Sequence, residues 1–213
     1  MTTLIARNTI LSAALAVVLA SPARLVAQQI TVTAAPEVSA LMAACTPTTA
    51  QGAAIRDGLV ARGWAEVPED KRRAALAAFS AAHMWSFLPN YLSADRVANF
   101  EPLTDAVESA ANGADAAFLA SGDQYALILW NGDNLSCIWA GQQSDSIDTL
   151  AVQLGGFPHS DRVTTRAIDQ RLEEQGRSWT RRMSVGRTPV PDLPPSVAET
   201  GLTDAARLDR SPL

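Results

Sequence analysis

Ala117-Phe-Leu-Ala-Ser-Gly-Asp-Gln-Tyr-Ala-Leu-Ile-Leu-Trp130, then Asn131-Gly-Asp-Asn134, then Leu135-Ser-Cys-Ile-Trp-Ala-Gly141 is the stretch on which the fold turns. Two runs of aliphatic, aromatic and β-branched residues flank four residues with strong turn chemistry. Asn, Gly and Asp tolerate the positive φ that tight loops need, so the stretch reads as a β-hairpin. Gly122-Asp123 repeats that chemistry upstream and divides the first run. The predicted strands are 116–120, 124–130 and 135–141.

Cys137, on the second hairpin strand, shares a face with Leu135 and Trp139. The only other cysteine, Cys45, falls on a helical stripe with Val38, Leu41 and Met42, spaced i, i+3, i+4 and i+7. Two inward-facing cysteines on separate elements predict a structural disulfide, Cys45–Cys137, in an oxidising compartment. A redox-active thiol or an intermolecular bridge is the alternative. There is no Cys-x-x-Cys to support local thiol exchange.

The amino terminus argues for that compartment. Residues 1–27 carry Arg7, an apolar run over 10–20, and small residues permitting cleavage after Ala23 or Ala27, the pattern of a secretory signal peptide. An uncleaved anchor helix is the alternative, although the run is short for a bilayer span. Leu41-Met-Ala-Ala-Cys45 looks like a lipidation box but lies far beyond the apolar run, so the match reads as accidental. The expected location is periplasmic or secreted, with no membrane span after cleavage. Sixteen Arg beside the single Lys71, with abundant Ala, is a bias common in high-GC bacteria.

The chain has 213 residues, 47% of them hydrophobic and 18% charged, enough apolar material for one domain with a core. Loss of Arg7 and Arg24 with the signal takes the formal charge from −5 to −7. An acidic protein lacks the basic field that general nucleic-acid binding requires, so nucleic acid is not an expected partner.

Before the hairpin, helices are expected over 38–45, 50–62 (stopped by Gly63), 68–88 and 101–111, with a polar passage over 91–99. After it, Ser144 is placed to cap a helix through Ile147, Leu150, Ala151 and Leu154. Residues 162–167 read as a strand, 168–175 as a helix ending at Gly176, and 178–185 as an edge strand. Pro189, Pro191, Pro194, Pro195 and Pro212 mark 188–213 as an extended or disordered tail. Helices followed by a strand meander predict an α+β fold: N-terminal helices packed on one face of a mainly antiparallel sheet containing a central β-hairpin. The domain plan is a signal at 1–27, one globular domain over 28–187 and the tail over 188–213.

Chemistry-bearing motifs are scarce. His159-Ser-Asp161 contains the residue types of a hydrolase triad, but consecutive side chains do not form a nucleophile–base–orienter line. His83 lies between Phe79 and Phe87 on an apolar stripe, where a core role outweighs a chemical one. His159 follows Gly155-Gly-Phe-Pro158 on a loop. Hydrolase, β-lactamase and zincin signatures are absent, and no catalytic residue is assigned. Two His and two bridged Cys leave too few ligands for zinc; Asp123, Asp133, Asp145 and Asp148 are economically read as turn and cap residues. No cofactor or metal is implied.

One asymmetry remains. Arg162, Arg166, Arg171, Arg177, Arg181, Arg182 and Arg187 crowd the segment 160–190 of an otherwise acidic chain. Arg162, Arg166, Arg181 and Arg182 are therefore the candidate binding residues, facing an envelope protein or an anionic envelope component. A solvated strand face paired with nearby acids is the alternative. The reading is an exported, non-catalytic binding or accessory protein of the envelope. Two further readings stand beside it: a hydrolase acting on an envelope component with His159 or His83 as base, and a small inhibitor inserting loop 155–160 into an enzyme.

Overall fold

Segments 36–87, 96–157 and 163–213 are described by the computed structural model. The expected signal at 1–27, the tripeptide His159-Ser160-Asp161 and Arg162 lie outside the described residues. Helices α1 (Pro36–Cys45), α2 (Gly52–Val60), α3 (Glu69–Ala82), α4 (Met84–Phe87) and α5 (Arg96–Ala111) precede most of the sheet. Pro68 leads into α3, and Glu69 and Asp70 occupy its first turn, where acids complement the helix dipole. Helix α5 begins at Arg96, five residues before the expected start, and carries Pro102 inside it. Burial of Phe100 and Leu103 in the core outweighs the backbone bond that proline forfeits. Helix α6 (Asp145–Gln153) starts as expected: Ser144 Oγ accepts from the Ser146 amide at 3.2 Å.

Strands β1 (Ala65–Glu66), β2 (Ala116–Ser121), β3 (Gln124–Asn131), β4 (Asn134–Gln142), β5 (Thr164–Glu174), β6 (Arg177–Arg187) and β7 (Leu202–Pro212) build one sheet in the order β1-β2-β3-β4-β7-β6-β5. Every neighbouring pair is antiparallel. The fold is α+β, and the hairpin sits near the middle of the sheet, with Asn131 opposite Asn134 and Gly132 at φ 57°.

Helices cover both faces, not one. In β2 and β3 the apolar runs are continuous, with no polar residue at alternate positions, so both faces must be buried. On the first face Leu119, Ile128, Cys137 and Trp139 pack with Leu41, Leu59 and Ile147 of α1, α2 and α6. On the second, Phe118, Leu127 and Ile138 pack with Leu76 and Phe79 of α3 and Leu103 and Val107 of α5. The Sγ atoms of Cys45 and Cys137 lie 2.01 Å apart, at disulfide distance, and tie α1 to β4 on the first face.

Three expectations for the carboxyl-terminal third are overturned. Residues 168–175 are not helical: β5 runs unbroken to Glu174, and Gln175-Gly176, both at positive φ (53° and 76°), make a two-residue hairpin turn into β6. Strand β6 is not an edge strand; β5 and β7 flank it. Nor is 188–213 a disordered tail. Its prolines shape two short 3-10 turns, Val190–Asp192 and Ala198–Thr200, whose neighbours Leu193 and Val197 enter the second core. Beyond them β7 inserts between β4 and β6, so the globular part extends past residue 187. The β7 sequence, rich in Ala, Asp and Arg, has little strand propensity; pairing on both sides decides its conformation.

Candidate functional site

Insertion of β7 carries charge into the sheet. Asp204 is fully buried, accepting from Arg187 Nε and Nη2 at 2.7 and 2.8 Å and from the Ser144 amide at 2.8 Å. Burial pushes the Asp204 carboxyl up from its ordinary value, against the pull of the Arg187 and Ser144 hydrogen bonds. Hydrogen bonds to Asp204 and Asp148 raise the Arg187 guanidinium, which remains charged. Arg210, 2% exposed, donates to the carbonyls of Pro47 and Ala50 and anchors the loop between α1 and α2. These groups sit on the first face and serve architecture.

On the second face the same strands carry a different set. Cross-strand partners share a face, so the registers place Asp169, Arg182, Asp209 and Ser136 in one row, and Ala167, Ser184 and Arg207 in the next. Arg171, Thr180 and Ser211 continue the strip. Arg182 Nη1 donates to Asp169 at 2.9 Å, with side chains 54% and 70% exposed. Arg207 Nε lies 2.8 Å from Asp209, which also accepts from Ser136 Oγ at 2.6 Å. Arg171 has no acidic partner among the described residues. Two adjoining cavities of about 400 and 300 Å³ lie along the strip and share Arg182 and Asp209. Trp85 of α4 packs on Gly186 at one end, where only glycine leaves room for the indole: a Cβ there would sit 2.2 Å from the ring.

The candidate binding arginines therefore separate. Arg182 lies on the strip. Arg166 and Arg181 point to the opposite face, where Arg166 donates to the Gly156 carbonyl and Arg181 to Gln170 Oε1 at 2.6 and 3.0 Å. Arg171 and Arg207 join Arg182 in their place. Alternation along a strand separates Arg181 from Arg182, but β7 could not be placed without the fold, so Arg207 carried no signal in the sequence.

His83 is a core residue. It is fully buried; Nε2–H donates to the Trp139 carbonyl at 2.8 Å, and Phe79, Trp85 and Phe87 ring it at centroid distances of 4.9–5.9 Å. Desolvation lowers its pKa to about 3, so it is neutral throughout the physiological range. Ser86 Oγ is 3.3 Å from Nδ1, but no carboxylate among the described residues orients the ring, and its other nitrogen is committed. The hydrolase reading gains no base from it. Among the described residues no group of three or more His, Cys, Asp or Glu is arranged to hold a metal ion. In the loop proposed for an inhibitor, Gly156 is bound by Arg166 and Phe157 packs on the first core.

The chain matches no protein-family model, no curated protein and no solved structure.

Proposed function

We propose that this protein is an exported, non-catalytic binding protein that takes an anionic ligand on the second face of β5, β6 and β7. The observation that carries the reading is the strip of Arg171, Arg182 and Arg207, laid along two joined cavities that are open at Arg171 and Arg182 and walled by Trp85 and Ser86 of α4 at the Arg207 end. A guanidinium presents five N–H donors, and Asp169 and Asp209 each engage only part of one, orienting the group while leaving donors for a ligand. A carboxylate or phosphate matches that geometry. Export is supported by the signal pattern of residues 1–27 and by the Cys45–Cys137 pair at disulfide distance, which persists in oxidising compartments. No described helix is long and apolar enough to cross a membrane.

Titration calorimetry with citrate and with tripolyphosphate, as carboxylate and phosphate probes, tests the site. Binding should weaken as salt rises, because Arg171 and Arg182 are exposed. Arg182→Glu and Arg207→Glu should each weaken it at least tenfold with the fold intact by circular dichroism. Failure of both probes to bind, or binding indifferent to both reversals, overturns the proposal.

A further inference from the structure

The two ends of the sheet are unlike. At one end β1 has two residues, too short to template another strand. At the other, β5 presents eleven residues, pairs only with β6 among the described residues, and holds its register without a bulge. It contains neither Pro nor Gly. Proteins blunt such edges with prolines, bulges or charge. Within β5 charge is the only such device, and its order, read against its own reverse, sets acids opposite arginines.

We propose that β5 pairs antiparallel with β5 of a second copy of this chain, joining two sheets into one across a two-fold axis centred on Gln170. The two-residue turn at Gln175-Gly176 makes Glu174 and Arg177 a hydrogen-bonded pair, so Ala167, Asp169, Arg171 and Glu173 direct their N–H and C=O groups outward. Antiparallel pairing through those groups about Gln170 sets Arg166 opposite Glu174, Asp169 opposite Arg171 and Ile168 opposite Leu172. Symmetry makes each contact twice.

Charge selects this register over its neighbours. Centring on Asp169 sets two aspartates face to face; centring on Arg171 opposes two arginines and sets Asp169 against Glu173. Like charges directly opposite destabilise a ladder, and opposite charges and apolar pairs stabilise it. Asp169 and Arg171 are exposed and Ile168 and Leu172 half-buried, while Glu174, also exposed, already accepts from Thr48 Oγ1. The hydrogen bonds of this pairing use the backbone edge of β5, but Asp169 and Arg171 also line the proposed anion strip, so dimerisation is read without added anion.

Sedimentation equilibrium of the full chain should show a dimer. Arg171→Asp and Asp169→Arg should each weaken dimerisation at least tenfold, and the double variant, which restores opposite charges, should recover it. Ala167→Pro removes an outward N–H while sparing the β5–β6 ladder, and should also give monomer with an unchanged circular dichroism spectrum. Gln170→Cys should cross-link to its own copy on oxidation, whereas Thr165→Cys should not. A chain monomeric at all concentrations, or a dimer indifferent to both charge reversals and to Ala167→Pro, overturns the proposal; so does β5 pairing with a strand of another protein in preference to itself.

Discussion

One cross-strand row on the second face runs Phe118, Leu127, Ile138, Arg207, Ser184, Ala167. Its neighbour runs Ala116, Leu129, Ser136, Asp209, Arg182, Asp169. In both, the backbone ladder continues unchanged while the side chains pass from apolar to polar or charged between β3 and β7. Where the row is apolar, α3 and α5 cover it; where it is charged, α4 reaches its Arg207 end through Trp85 and Phe87, while Arg182 and Asp169 stay exposed. Regular pairing thus supplies a rigid support across the whole sheet, and side-chain chemistry alone divides it into a half that holds the fold and a half that is free to bind. Functional groups on regular strands are held more precisely than groups on loops.

That division is open to test, and the covered half should show the larger stability effects. Replacing both cysteines by serine removes a cross-link spanning 92 residues. It should lower unfolding stability by roughly 4–5 kcal/mol in the chain-entropy view, read as a fall in the urea midpoint with a steeper slope, because the unlinked chain unfolds to a more open state. A midpoint equal to that of the oxidised parent would show that α1 needs no covalent tie to β4.

His83 should make stability depend on pH. Its pKa is about 3 folded and close to 6.5 unfolded, so between those values the unfolded chain binds the extra proton. Its contribution is complete above pH 6.5 and is lost as pH falls toward 3, amounting to roughly 2 kcal/mol by pH 5. Denaturation curves at pH 7 and pH 5 measure this. His83→Gln, which retains a donor for the Trp139 carbonyl, should flatten that part of the profile; an unaltered slope would assign the acid sensitivity elsewhere.

Gly186 lies at the boundary between the halves. Gly186→Ala drives a methyl into the Trp85 ring and should cost about 1–3 kcal/mol, with a changed tryptophan emission spectrum. A silent substitution would mean that Trp85 moves freely and does not wall the cavity. Smallest of all should be Arg182→Ala, which breaks an exposed pair with Asp169 and should change stability by less than about 1 kcal/mol while weakening anion binding. A loss of several kcal/mol there would erase the distinction between the halves.

Local chemistry made much of the first core legible. The Asn131–Asn134 turn, the apolar runs beside it, the Cys45 stripe and the Ser144 cap are decided by neighbours in the chain, and each expected element is present with bounds shifted by a residue or two. Less local information failed in a consistent way. Ile168 to Glu174 has charges spaced to suit either a helix or a strand, and only its pairing with β6 resolves the choice. The proline count of the last segment concealed β7, whose strand itself has no proline before its final residue.

Candidate site residues divide along the same line. Arg182 was legible as part of an Arg-rich segment, and alternation sets it apart from Arg181. Arg207 and Asp209 were not, because they reach the strip only when β7 threads between β4 and β6. By itself the sequence determined the hairpin, the amphipathic helices and the α+β class, because turn chemistry and hydrophobic period act over a few residues. Tertiary structure alone decided strand order, the burial of Asp204 and Arg210, and which arginines meet. Those depend on contacts between segments from 17 to 163 residues apart, and no local preference encodes them.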